Sequence, residues 1–130
     1  MPRIRVKKSG PLKGTLKIDG AKNAVLPIIA ATILARGKCT LKSVPSLRDV
    51  HVISDLLAHL GANVNYKDGC LEIDTSSINT YEAPYELVKK MRASFVVMGP
   101  LLAIFNRTKI SMPGGCAIGT RPIDLHLKGF

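Results

Sequence analysis

The sequence predicts an α/β fold built from repeated βαβαββ units, of which the chain holds one complete unit and part of a second. Patterns typical of strands and helices alternate along its 130 residues, and a chain of this length can bury a substantial core. The chain also resembles itself faintly at an offset of 68 residues, as repeated units would. The matching stretches are Ile33-Leu34-Ala35 with Leu101-Leu102-Ala103, Thr40 with Thr108, and Val44-Pro45 with Met112-Pro113.

Short strands are predicted first, over residues 4–6 and 16–18, because apolar and charged side chains alternate there. A first helix is predicted over about 23–35, with Asn23 as its N-cap and a proline tolerated in its first turn. The chain then returns to a strand over 38–44. The first unit therefore begins with a strand, a helix and a second strand.

A second helix is predicted over 48–60, where five apolar residues recur at helical spacing. Ser46 and Asp49 form a start that resembles a capping box, and Gly61 follows the helix. Beyond it the sequence predicts strands over 62–66 and 71–74 around a turn at Asp68-Gly69, helical segments over 85–91 and 94–105 with a break near Gly99-Pro100, a strand over 109–112, and a helix from about Pro122.

The predicted last helix stops at Phe130, before it can match the 13 residues of its counterpart over 48–60. No closing hairpin follows it, and its apolar side chains would need a partner. We therefore expect the chain to be a fragment, or one piece of a split protein.

The chain is strongly basic, with 19 Lys and Arg against nine Asp and Glu and a formal net charge of +10. Such a balance attracts anions. A nucleic-acid-binding module is one alternative, but the sequence has no Trp and only six Phe and Tyr in all, so it offers few side chains for stacking on bases. Small phosphorylated ligands fit better, because many of the cations lie singly among turns and glycines.

No segment of the sequence predicts a membrane span. The longest apolar stretches, 24–35 and 95–105, fall short of the ~20 residues that a bilayer requires. The basic N-terminus is not followed by the apolar run of a secretory signal. The sequence therefore predicts a cytoplasmic protein.

Three cysteines, an odd number without a Cys-x-x-Cys pair, argue against a disulfide framework and against a zinc site. Cys39 and Cys70 are interpreted as structural thiols. His51 and His59 lie on the second predicted helix with no metal-ligand partner at useful spacing, and they are interpreted as surface residues. No metal is expected.

Cys116 lies in the glycine-rich loop Pro113-Gly114-Gly115-Cys116-Ala117-Ile118-Gly119-Thr120-Arg121-Pro122. Glycines let backbone N–H groups approach a ligand closely, and Arg121 supplies a cation that favours an anion or the thiolate itself. A small apolar side chain filling a turn is the alternative interpretation of this cysteine. The glycines and the arginine together favour a reactive thiol.

Three segments of the sequence resemble a known family. These segments are Gly20-Ala21-Lys22-Asn23-Ala24, Met91-Arg92-Ala93-Ser94 and the stretch from Pro113 to Gly129. They are similar to the N-terminal part of the UDP-N-acetylglucosamine 1-carboxyvinyltransferases, a family of enolpyruvyl transferases. The resemblance extends over nearly the whole chain from about Gly10 onward, and the related shikimate-pathway transferases lack this cysteine loop.

The resemblance implies an enolpyruvyl transferase-like fold and transfer of the enolpyruvyl group of phosphoenolpyruvate to the 3′-hydroxyl of UDP-N-acetylglucosamine. This reaction is the first committed step of peptidoglycan precursor synthesis, on which cell-wall biogenesis, cell shape and cell division depend. It needs no metal or organic cofactor in the family. By resemblance, Cys116 donates a proton to the methylene carbon of phosphoenolpyruvate and is the atom that fosfomycin alkylates.

The resemblance also assigns binding residues. Lys22 and Asn23 match the residues that contact phosphoenolpyruvate, and a lysine at a helix start suits a phosphate or a carboxylate. His126 is a weaker candidate for the diphosphate side of the nucleotide sugar. The residues matched to the UDP-N-acetylglucosamine site are Arg92, Arg121, Pro122, Ile123, Asp124 and Leu125.

In the family the active site lies between two domains, so the resemblance implies an incomplete site here. Residues 1–21 are expected to form strands that belong to the other domain, and 22–130 an incomplete transferase domain. We expect no transferase activity from this chain alone and a need for the missing C-terminal sequence, in cis or in trans. The alternatives are a non-catalytic remnant, one half of a split enzyme, and a transferase of the shikimate-pathway type.

Overall fold

The computed structural model describes residues 3–111 and 123–130 and has a mixed α/β architecture, which confirms the predicted fold class. In chain order the helices are α1 Lys22–Ala35, α2 Arg48–His59, α3 Tyr85–Val88, a 3-10 helix at Arg92–Val97, α4 Met98–Phe105 and α5 Asp124–Gly129. The strands are β1 Lys38–Leu41, β2 Asn63–Lys67, β3 Cys70–Asp74, β4 Glu82–Ala83 and β5 Lys109–Ile110.

The first unit forms an antiparallel sheet in the order β1-β3-β2, with α1 and α2 packed on one face. The predicted hairpin is confirmed. Lys67 pairs with Cys70 across a turn whose central residues, Asp68 and Gly69, both have positive φ (48° and 76°). Two left-handed residues are what a tight hairpin of this length requires, and Asp-Gly provides them at low cost.

The core lies between this sheet and the helices. The five apolar residues of the second predicted helix are all 0% exposed, as the helical spacing predicts. Leu71 and Ile73 of β3 are buried beneath them, whereas Glu72 between them is exposed. The apolar side chains that recur every second residue on the strand and about every 3.6 residues on the helix therefore pack together in one apolar layer. The five helix residues are Val50, Ile53, Leu56, Leu57 and Leu60.

The second unit repeats the order of helix and strand, since β5 follows α4 as β1 follows α1. β5 pairs in parallel with β4, with Glu82 opposite Lys109. The helix changes from 3-10 to α geometry between Val97 and Met98, slightly before the break predicted at Gly99-Pro100. Pro100 is tolerated because it lies in the first turn of α4, where its missing N–H needs no partner.

The N-terminal strands predicted over 4–6 and 16–18 are not formed within residues 3–21, all of which the structure describes. Residues 3–19 are exposed, including Ile4 (93%) and Leu16 (85%). An alternating pattern gives a strand only when a neighbouring strand satisfies its backbone, and no pairing partner for this segment occurs among the described residues. Its assignment to another domain stays a prediction.

Helix starts differ from the predictions in detail. α1 begins at Lys22 after Ala21, so Asn23 is its second residue and not its N-cap. α2 follows Leu47 without a side-chain cap, and the Ser46 hydroxyl instead bonds Nε2 of His51 at 3.2 Å. The capping box predicted from Ser46 is therefore wrong, because its serine lies one residue too early and has another partner.

Across the residues that the structure describes, no helix combines the length and the apolar character needed to cross a bilayer.

Candidate functional site

Lys22 is the first residue of α1, and a close contact between two chain segments fixes its position. Gly20 lies against the loop between β1 and α2, so that a Cβ at Gly20 would overlap the carbonyl oxygen of Ser43. Ser43 itself has a positive φ of 57°, which turns its backbone in that loop. Only a residue without a side chain permits this approach. The start of α1 is therefore placed beside the start of α2.

At this junction the Lys22 ammonium meets a carboxylate of α2. Lys22 Nζ lies 2.8 Å from Oδ2 of Asp49, the second residue of α2. The Lys22 side chain is 47% exposed and that of Asp49 is 28% exposed. The pair is thus open to solvent on the lysine side, and the ammonium can meet a ligand while it keeps its carboxylate partner.

The start of α2 is tied to the hairpin from the other side. The rings of His51 and Tyr66 meet edge to face at 5.4 Å, and the Tyr66 hydroxyl donates to the Val44 carbonyl oxygen at 2.9 Å. The Val44 N–H in turn donates to the carbonyl oxygen of Gly69. These contacts make the segment that carries Asp49 part of the packed first unit.

Two helix N-termini therefore lie side by side at this junction, and neither has a side-chain cap. Uncapped N–H groups and the positive ends of helix dipoles favour anions. A lysine ammonium at the same place adds a full positive charge. These groups suit a phosphate or a carboxylate, the ligand class that the sequence predicts for Lys22, and that assignment stays a prediction. Asn23 lies next to it and is exposed in the first turn of α1.

The 3-10 helix carries the second predicted segment. Arg92 is its first residue, and the helix packs against α1. Ser94 is 0% exposed, and its hydroxyl has no hydrogen-bond partner in the described part of the chain.

The third segment ends in α5, which rests on the 3-10 helix and α4. The ring of His126 meets that of Phe95 edge to face at 5.8 Å, and the ring of Phe130 lies against Gly99. Asp124 and Leu125 are exposed, Leu125 by 75%. Short α5 is thus anchored by its aromatic contacts, while its first turn faces solvent.

The structure places the predicted residues in two groups. Lys22 and Asn23 are at the α1 and α2 junction. Arg92 begins the 3-10 helix, and α5, which follows Ile123, contacts that helix through His126 and Phe95. Among residues 3–111 and 123–130, no hydrogen bond or ion pair joins the two groups. The remaining predicted residues Cys116, Arg121 and Pro122 lie outside the described residues.

Sequence reasoning missed the partner of Lys22. The sequence suggested Asp49 only as part of a capping box. Its contact with Lys22, 27 positions away, depends on the tertiary structure. Gly20 did stand in a motif, but the sequence alone does not show which backbone it approaches. His51 and His59 are exposed on α2, as predicted.

A depression of about 520 Å³ lies on the outer side of the three-stranded sheet, away from these residues. Its lining mixes polar and apolar side chains and includes the charged residues Lys38, Glu72 and Asp74. Hydrogen bonds from the hydroxyl and the backbone N–H of Ser76 lower the pKa of Asp74 below its ordinary value. The sequence-predicted site residues do not line this depression.

Comparison with solved structures identifies the class of fold. The enolpyruvyl transferase NikO from Streptomyces tendae matches 72% of this chain and 22% of its own, with a TM-score of 0.66 and 22% sequence identity. The sequence model of EPSP synthase (3-phosphoshikimate 1-carboxyvinyltransferase) matches residues 6–130. The chain belongs to this family of carboxyvinyltransferases, and the predicted enolpyruvyl transferase fold is confirmed.

Its curated relatives carry a more specific name. The UDP-N-acetylglucosamine 1-carboxyvinyltransferase 1 of Caldanaerobacter subterraneus subsp. tengcongensis is 62% identical over 96% of this chain. The UDP-N-acetylglucosamine 1-carboxyvinyltransferases of Desulfosudis oleivorans and Finegoldia magna are 54% and 56% identical over 100% of it. The chain spans 30% to 31% of the length of these relatives.

Proposed function

We propose that this chain contributes site residues to an enzyme that transfers the enolpyruvyl group of phosphoenolpyruvate to the 3′-hydroxyl of UDP-N-acetylglucosamine. The observation that carries the proposal is identity of 54% to 62%, over 96% to 100% of the chain, to proteins named UDP-N-acetylglucosamine 1-carboxyvinyltransferase. The placement of Lys22 at an uncapped helix start supports it, because phosphoenolpyruvate carries both a phosphate and a carboxylate. The product would enter peptidoglycan precursor synthesis.

In this proposal Lys22 and Asn23 hold phosphoenolpyruvate. Cys116 protonates its methylene carbon, while the 3′-oxygen of the sugar bonds to the adjacent carbon and gives up its own proton to a carboxylate base in the remaining sequence. The resulting tetrahedral ketal then loses a methyl proton and expels phosphate, which restores the double bond. A thiol suits the first step when neighbouring cations bring its pKa towards neutrality. Cys116 would also be the site of fosfomycin alkylation.

The nucleotide sugar would be held by a second set of residues. Arginine suits its diphosphate, because the planar guanidinium can bond two oxygens at once. We assign no metal or organic cofactor to the reaction, and we place it in the cytoplasm, where thiols are kept reduced. The proposed binding residues are Arg92, Arg121, Pro122, Ile123, Asp124 and Leu125.

The test is phosphate release from both substrates, measured for the 130-residue chain alone and for the chain joined to the remaining sequence of the Caldanaerobacter relative. We expect turnover from the joined protein and none from the chain alone. Cys116→Ser should lower kcat of the joined protein at least about 100-fold, because it removes the proton donor. Cys70→Ser, a change of the same kind at a half-buried strand residue, is the control and should leave kcat within about twofold.

Robust turnover by the isolated chain would contradict the need for further sequence, and equal rates for Cys116→Ser and the parent would overturn the role of the thiol. The name of the matching family also suggests a second acceptor, 3-phosphoshikimate. Replacing UDP-N-acetylglucosamine by shikimate 3-phosphate in the same assay separates the two, and faster turnover with the latter would favour the shikimate-type function.

A further inference from the structure

We propose that Asp49 is a positioning residue, which holds the Lys22 ammonium where it meets phosphoenolpyruvate. The inference rests on the proposed function, because it presupposes that Lys22 binds this substrate. It is carried by the 2.8 Å contact between Lys22 Nζ and Asp49 Oδ2 and by the packing that fixes both backbones.

A lysine side chain has four rotatable bonds and, when exposed, points its ammonium in many directions. Lys22 is 47% exposed, so the contacts of its own stem do not confine it. A charged hydrogen bond to Asp49 selects the rotamers that bring Nζ over the start of α2. The ammonium is then held at the first turn of α2, whose start, like that of α1, has no side-chain cap.

The carboxylate can do this only if its own position is fixed. Asp49 lies in the first turn of α2, next to Val50, which is fully buried. The contact of Gly20 with Ser43 sets the distance between the two helix starts. Backbone packing therefore fixes the Asp49 carboxylate, and the hydrogen bond to this carboxylate fixes the Lys22 ammonium.

Two simpler roles for Asp49 make different predictions. As a charge at a helix N-terminus, or as a partner in a partly exposed ion pair, it would add a little stability and nothing else. Its removal would then shift the melting temperature by a few degrees at most and leave substrate affinity alone. A positioning role predicts the reverse, with a selective loss in the use of phosphoenolpyruvate.

The kinetic test uses the chain joined to the remaining sequence of the Caldanaerobacter relative, with steady-state rates for each substrate. Asp49→Ala should lower kcat/KM for phosphoenolpyruvate on the order of ten- to a hundredfold, because a misplaced binding group costs that much. KM for UDP-N-acetylglucosamine should change less than about twofold. Asp49→Glu should restore part of the loss, and Asp55→Ala, an exposed aspartate on the same helix, should behave as the parent.

A double-mutant cycle shows whether Asp49 acts through the lysine. On a Lys22→Ala background, Asp49→Ala should have no further effect on kcat/KM, since the group that it positions is gone. An undiminished effect on that background, or equal losses for Asp49→Ala and Asp55→Ala, would overturn the inference. If Lys22→Ala itself leaves the kinetics unchanged, the proposed role of Lys22 fails first, and the two failures are thereby told apart.

A direct measurement on the 130-residue chain needs no activity. In nitrogen-15 NMR spectra, an ammonium held by a carboxylate exchanges slowly and gives a resolved signal at low temperature. We expect one such signal to disappear in both Lys22→Ala and Asp49→Ala, and to persist in Asp55→Ala. A signal assigned to Lys22 that survives in Asp49→Ala would show that another group holds it.

Discussion

At the scale of single residues, the candidate site depends on a position with no side chain. Gly20 precedes Lys22 by two residues and touches the Ser43 carbonyl of the following loop. The glycine matters here because of a close approach between two backbones, a constraint separate from the conformational freedom for which glycine is often selected. Its neighbour Lys22 depends on that approach for its ion pair with Asp49.

Gly20→Ala should lower the free energy of unfolding by roughly 1–3 kcal/mol, because the added methyl group forces the start of α1 away from the loop. Gly14→Ala is the matched control, since a Cβ there meets nothing within 4 Å. Urea unfolding followed by circular dichroism measures both. Equal stability of the two variants would show that the loop moves aside without cost.

Lys22 could be identified from the sequence, whereas its partner Asp49 could not. Lys22 could be singled out from the sequence because Gly20-Ala21-Lys22-Asn23-Ala24 resembles a segment of a known family. Its partner Asp49 was not visible, because the interaction joins residues 27 positions apart. For Ile4 and Leu16 the sequence predicts structure that is not observed. Apolar and charged residues alternate around them, but the described residues form no strand there.

At the scale of elements, α2 is the part of the chain where pattern and structure agree most fully. Each of its five predicted core positions has no exposed surface. The helix packs against α1 and against β2 of the hairpin. Its first turn carries Asp49, so the packing of α2 also determines the geometry of the candidate site.

Leu57→Ala should lower the free energy of unfolding by about 2–5 kcal/mol, since it removes a fully buried side chain from the last turn of α2 and leaves a cavity. Leu34→Ala is the control, because Leu34 of α1 is 53% exposed and should cost less than about 1 kcal/mol. Thermal and urea unfolding of the two variants should rank them in this order. A loss at Leu34 as large as that at Leu57 would mean that the outer face of α1 is covered in solution.

Helix starts were the least predictable detail of the elements. Side-chain caps expected at Asn23 and Ser46 do not form, and both helices begin after apolar residues instead. A local cap is worth only about 1 kcal/mol, which the packing of a buried helix face outweighs. The start of each helix is thus fixed by where its apolar face meets the core.

At the scale of the whole molecule, the described residues divide into a packed unit and an exposed N-terminal segment. Residues 3–19 are exposed along their full length. The packed unit holds a continuous apolar core that extends from α1 to α4. The segment therefore adds six cations and several apolar side chains to the surface, and few contacts to the fold.

Deletion of residues 1–19 should leave the free energy of unfolding of the chain within about 0.5 kcal/mol of its original value, because the described part of that segment buries little apolar surface. Chemical unfolding of the chain with and without the segment is the measurement. A loss of more than about 1.5 kcal/mol would show that the segment packs on the unit. Substitution of residues 4–6 by serine would then test the same point without shortening the chain.

The α/β class, the hairpin and the buried face of α2 are predictable from the amino-acid sequence, because the periods of two and 3.6 and the turn chemistry of Asp-Gly act over a few residues. Its motifs also indicated the carboxyvinyltransferase family. Only the tertiary structure decided that Gly20 meets Ser43 and that Lys22 pairs with Asp49. Such contacts depend on how distant segments pack, and no local pattern encodes the distance between two helix starts.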